Sequence, residues 1–176
     1  MSDLSTFEYA VYTALCACFS LAPSSPEAAY RFRPAYPPNT TLPQPPRDKD
    51  VCYISLTPDS GSDPQYLTVL RADPDRDTWL RAIPLSLRLY FYGPHAIDDA
   101  LTTRTLLFTD PIRALLRQSG IIPIPSPFPP TTYPQVEGTL WRSRADLTLS
   151  LRVLQSTQTP ATSITTPPEL FIHPTP

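Results

Sequence analysis

The chain has 176 residues, enough for one domain with its own core, and it carries 25 prolines against 4 glycines. That ratio excludes collagen-like and Gly-rich flexible sequence. A formal charge of −2 excludes the strongly basic footprint of a general nucleic-acid binder, though not a protein that merely surrounds DNA.

The first segment, Leu4 to Phe19, repeats apolar residues at three- and four-residue steps through Leu4, Phe7, Val11, Leu15 and Cys18. The spacing predicts an amphipathic helix, with Asp3 as its N-cap and Pro23 as its stop. The apolar run Tyr9 to Ala22 is roughly 14 residues, too short to cross a bilayer. Asp3 and Glu8 replace the basic start of a secretory signal, and Leu15 before Cys16 spoils a lipoprotein cleavage site. A soluble, cytosolic chain without membrane contact is expected. The three cysteines have no CxxC spacing and give no disulfide framework, so they read as small buried hydrophobes.

Pro23 to Pro46 holds eight prolines and is expected to be an extended loop or edge arm. Val51–Thr57 and Tyr66–Ala72 read as strands joined by the hairpin turn PDSGSDP. Ala82–Tyr92 alternates: Ile83, Leu85, Leu87, Leu89 and Phe91 face one way, and Ser86, Arg88, Tyr90 and Tyr92 the other. Gly93-Pro94 then leads into a helix over about 95–108 and a second over about 111–118, with Asp110 as N-cap before Pro111 and Gly120 closing it. The stretch IIPIPSPFPPTTYP reads as a Pro-rich loop. Thr139–Leu154 is the strongest strand, with Trp141, Ala145, Leu147, Leu149, Leu151 and Val153 on one face and Arg142, Arg144, Asp146, Thr148, Ser150 and Arg152 on the other. A short last strand is expected near Glu169–His173. The fold class is therefore α+β: one domain, mostly antiparallel sheet with helices on one face. Its parts are an N-terminal helix (1–20), a Pro-rich arm (21–50), a sheet–helix core (51–158), and a C-terminal strand with a Pro-rich tail (159–176).

Catalytic chemistry finds little support. His95, Asp98 and Asp99 share a helix face at i, i+3 and i+4, but a zinc or iron site needs further ligands, and the other histidine, His173, lies near the C-terminus. The bland alternative is a Gly-Pro junction followed by two aspartates at a positively polarised helix start. Asp73, Asp75 and Asp77 mimic a calcium loop, but Thr78 and Pro84 stand where the loop needs Gly and Glu. There is no GxSxG, P-loop or Gly-rich phosphate loop. No enzyme activity and no cofactor is expected. The row Arg142, Arg144 and Arg152, with Arg88 near it, is a solvated sheet face, a subunit contact through guanidinium forks, or a DNA-facing lining.

The order of motifs carries more than any one of them. Tyr92-Gly93 ends a strand, and Asp99-Ala100 sits in the following helix. Leu116 through Gly120-Ile121 closes the second helix, and Trp141 with Arg144-Ala145 opens the last long strand. Over roughly residues 50–173 this succession resembles the phage neck or tail terminator family. The resemblance implies a structural virion protein of the tail and neck, assembled in the host cytoplasm. It would form a homo-oligomeric, hexameric ring that caps the tail tube and meets a neck, head-completion or connector protein, with viral DNA passing through. Subunit contacts would then fall on Arg142, Arg144 and Arg152 of the strand and on Asp98, Asp99 and Arg104 of the helix after His95. A head–tail connector or minor tail component is the alternative within that class. A non-catalytic binding module that offers PPRD or PSPFPP to an aromatic groove is the alternative outside it.

Overall fold

The structure, a computed structural model, describes residues 4–35, 46–59, 67–73, 76–137 and 140–160. Two long antiparallel strands form its spine, β4 (Arg76–Tyr92) and β7 (Leu140–Pro160). Their register sets Leu85, Leu87, Leu89 and Phe91 against Leu151, Leu149, Leu147 and Ala145. All eight side chains are buried, so a single apolar face runs across both strands. The other strands are β1 (Phe32–Pro34), β2 (Val51–Pro58), β3 (Leu67–Asp73), β5 (Ile121–Ile124) and β6 (Thr131–Glu137). They give a seven-stranded sheet of order β1-β2-β4-β7-β5, in which β3 also pairs with β4 and β6 also pairs with β7. Every pairing is antiparallel except β1 with β2.

Helices α1 (Leu4–Cys18), α3 (Ala96–Leu106) and α4 (Asp110–Gln118) supply the second layer; α2 (Pro26–Arg31) lies before β1. The α+β class with helices against one face is as expected. Small buried residues, Ala96, Ala100 and Thr103, let α3 approach the sheet closely, while α1 and α4 contribute Phe7, Val11, Leu15, Ile112 and Leu116 to the same core.

Several local expectations are corrected. β2 and β3 are not a hairpin pair; they lie end to end along β4, which at 17 residues is long enough to pair with both. The segment after Pro23 is more regular than its prolines suggest. Ser25 accepts a hydrogen bond from the Ala28 amide (3.1 Å), and Pro26 sits in the first turn, where no helical donor is lost. IIPIPSPFPPTTYP contains β5 and the start of β6, because Pro123 and Pro134 fall on strands that pair on one side only, with β7. The N-cap of α4 is Thr109, whose backbone is extended, not Asp110. Asp3 and the strand expected at 169–173 lie outside the described residues.

The Gly-Pro junction is held from outside. Asp50, just before β2, accepts from the His95 amide (3.0 Å) and meets His95 Nδ1 at 2.9 Å, which raises the imidazole pKa. Gly93 has φ +126°, and a Cβ there would stand 2.4 Å from Asp50 Oδ1 and 2.8 Å from its Cα. Gly93→Ala should therefore cost roughly 2–4 kcal/mol, combining a left-handed backbone with a clash against main chain. Urea unfolding checks this; a loss below about 0.5 kcal/mol, the range of an ordinary surface substitution, would contradict it.

Candidate interaction surface

Strand alternation that buries the odd-numbered residues from Leu85 to Phe91 on β4 and from Ala145 to Val153 on β7 turns the even-numbered ones to the face without helices. There the register sets Tyr92 opposite Arg144 and Tyr90 opposite Asp146, and β6 adds Tyr133 opposite Arg144 and Gln135 opposite Arg142. Arg144 is the centre of this group. Its Nε and one terminal nitrogen donate to the two Asp146 oxygens at 2.6 and 2.7 Å, and the other donates to Gln135 Oε1 at 3.2 Å. Its guanidinium lies 5.0, 5.6 and 5.9 Å from the ring centres of Tyr90, Tyr92 and Tyr133. A forked carboxylate pair with aromatic faces around it fixes the side chain in one pose. The Asp146 bond raises the pKa of Arg144 above the usual guanidinium value. Tyr92 donates to Gln135 Oε1 (3.0 Å) and meets the edge of Tyr53 at 5.7 Å. Arg142, read from the sequence as a polar-face residue, is 5 % exposed, with its guanidinium 5.2 Å from the Tyr92 ring centre. A depression of about 310 Å³ lined by Ala35, Tyr53, Tyr90, Tyr92 and Arg144 opens between these rings.

Among the described residues no three His, Cys, Asp or Glu side chains gather where they could hold a metal ion. Burial pushes the Cys18 thiol up to about 11 and raises Cys16 and Cys52 as well, so all three stay protonated near neutral pH. Comparison with family models gives a match over residues 5–173 to the phage neck terminator protein family. The chain belongs to that family. A search of curated proteins gave no match. A phage neck terminator is a structural component of the virion's tail and neck and works in contact with other tail and neck components. No described helix is long and apolar enough to cross a membrane.

In this neck terminator the six residues expected at subunit contacts divide between two sides. Arg142, Arg144 and the exposed Arg152 lie on the open sheet face, with Arg152 opposite Pro84 on β4 and Ile122 on β5. Asp98, Asp99 and Arg104 lie on α3, across the sheet. Asp98 is exposed, Arg104 donates to the Ser126 carbonyl (3.1 Å), and Asp99 accepts from Arg31 at 2.8 Å. Strand alternation alone puts Tyr90 and Tyr92 on this face, but Tyr133 and Gln135 sit in a segment whose prolines hide its strand, so only the structure brings the group together.

Burial raises the Asp99 pKa, and the Arg31 charge beside it pulls the other way. Removing that charge leaves a half-buried carboxylate uncompensated. Arg31→Met should cost about 1–3 kcal/mol at neutral pH. The raised folded-state pKa makes the deficit shrink as the pH falls toward about 4 and Asp99 takes up a proton. Asp99→Asn placed in the Arg31→Met background should recover most of the loss. Urea titrations at both pH values test this, and a pH-independent or negligible effect of Arg31→Met would contradict it.

Proposed function

We propose that the protein caps the tail tube as a hexameric ring and joins the tail to the neck or connector, with DNA passing through the lumen. The observation that carries this reading beyond the family is the one-sided sheet. Helices cover one face, while the other exposes Arg88 and Arg152 and carries the Arg144–Asp146 fork, with Arg142 buried beside the Tyr92 ring. A net basic, Tyr-rich face suits a surface that sits near polyanionic DNA or meets acidic neighbours without requiring a base-specific grip.

The sheet also has different chemistry at its two sides, with β1 on one and the short strands β5 and β6 on the other. Unlike sides favour head-to-tail contacts, and such contacts close into rings when the rotation between copies is right. In this arrangement Arg144 contributes an ordered surface, its fork to Asp146 and its ring contacts already set before a partner arrives, with Arg142 packed beneath beside Tyr92. Arg152 and Asp98, both exposed, are the charges placed to pair between copies.

Native mass spectrometry of the purified protein, combined with composition analysis of purified virions, tests the reading. The expected result is a closed hexamer in solution and the protein among the virion components. A monomer at every concentration, with virions that lack the protein, would overturn it.

A further inference from the structure

Of the apolar features that the described residues expose outside the open-face patch, two lie on opposite sides of the sheet. The first is a knob. Val136 of β6 faces Trp141 of β7 across the strands, and they are 54 % and 69 % exposed. They occupy the face parity that is buried elsewhere along β7. The last buried residue of that row at this end is Ala145. A Trp left so exposed carries one of the largest apolar surfaces a side chain can offer to a partner. The second feature is a groove of about 390 Å³ between α1 and the β1 side of the sheet, walled mainly by Tyr9, Tyr12, Phe32, Pro34 and Ile54. It is large enough for an aromatic side chain.

Knob and groove cannot meet within one chain. They are separated by the succession β1-β2-β4-β7 and then β6, four strand spacings or roughly 19 Å across the sheet. Along the strands there is a further offset, from the β1 position opposite Cys52 and Phe91 to Trp141.

We infer that the Val136–Trp141 knob of one copy docks into the Tyr9–Tyr12–Phe32–Ile54 groove of the next copy. This rests on the ring reading above and names the surfaces that close the ring. The contact is heterologous, since one side of the sheet meets the other side of its neighbour, which is the arrangement a ring requires. Trp141 is its anchor. One aromatic supplies roughly 150–250 Å² of the about 800 Å² per partner in a standard interface, so the flanking strands complete the contact.

Cross-linking tests the docking with conservative changes at the rims. Ser5 lines the groove, and Ser143 is exposed two residues from Trp141 on the same face. The protein's own cysteines are buried, so a short bismaleimide reads introduced thiols against a low background. Mixed and reassembled Ser5→Cys and Ser143→Cys proteins should give a cross-linked dimer, and either protein alone should give none. Trp141→Ser should keep the wild-type melting temperature and weaken assembly at least tenfold by native mass spectrometry. If the wild type assembles but the mixed pair does not cross-link and Trp141→Ser assembles normally, the docking is wrong and the ring reading stands. If the wild type is monomeric at every concentration and virions lack the protein, the ring reading fails and the docking fails with it.

Discussion

The β4–β7 register is the constraint on which the rest of the molecule depends. Because side chains alternate with a period of two, a slip of one residue would move Leu85, Leu87, Leu89 and Phe91 from the core to solvent and bring Arg88, Tyr90 and Tyr92 under the helices. The observed pairing puts four large apolar side chains of β4 against Ala145, Leu147, Leu149 and Leu151. It thereby decides which face receives α1, α3 and α4 and which stays open. The Tyr–Arg patch is a consequence of the same choice. Arg144 meets Tyr92 across the strands only in the register that buries Phe91 against Ala145.

Because the register is over-determined on the buried side, the open side is free to carry chemistry that contributes little to the core. Arg144 and Asp146 stand two apart on β7, which puts them on the same face, and Tyr90, Tyr92, Tyr133 and Gln135 close around them. Such a group is ordered before any partner binds, and that lowers the entropy a contact must overcome. The buried thiols are held protonated, and His95 is occupied by Asp50 at a chain junction.

How much was legible follows from how strongly each segment alternates. Leu85 to Phe91 and Ala145 to Val153 announce both long strands, the buried face and the polar face, and the helical steps of Leu4 to Cys18 announce α1. The ends of the long strands were less visible. Arg76–Arg81 and Gln155–Pro160 lack a clean apolar alternation, yet they pair with each other in the observed ladder. Prolines hid the most. α2, β1, β5 and β6 all lie in Pro-rich stretches, with Pro26 in a first helical turn and Pro34, Pro123 and Pro134 on strands paired on one side only. For the expected contact residues, the sequence identified their types and not their sides. Asp99 is turned toward Arg31, and Arg142, buried beside the Tyr92 ring, pairs with Gln135 on a β6 strand that sequence alone did not show.

The central claim is that this one-sided sheet is a repeating unit of a ring at the end of the tail tube. A cryo-electron microscopy reconstruction of the neck in intact virions tests it most directly. The expected density is a closed ring of copies of this chain between tube and connector, with the Arg144 face of every copy oriented alike toward the channel or toward the adjoining neck protein. A neck without this chain, or one that holds it as a single asymmetric copy, would contradict the claim.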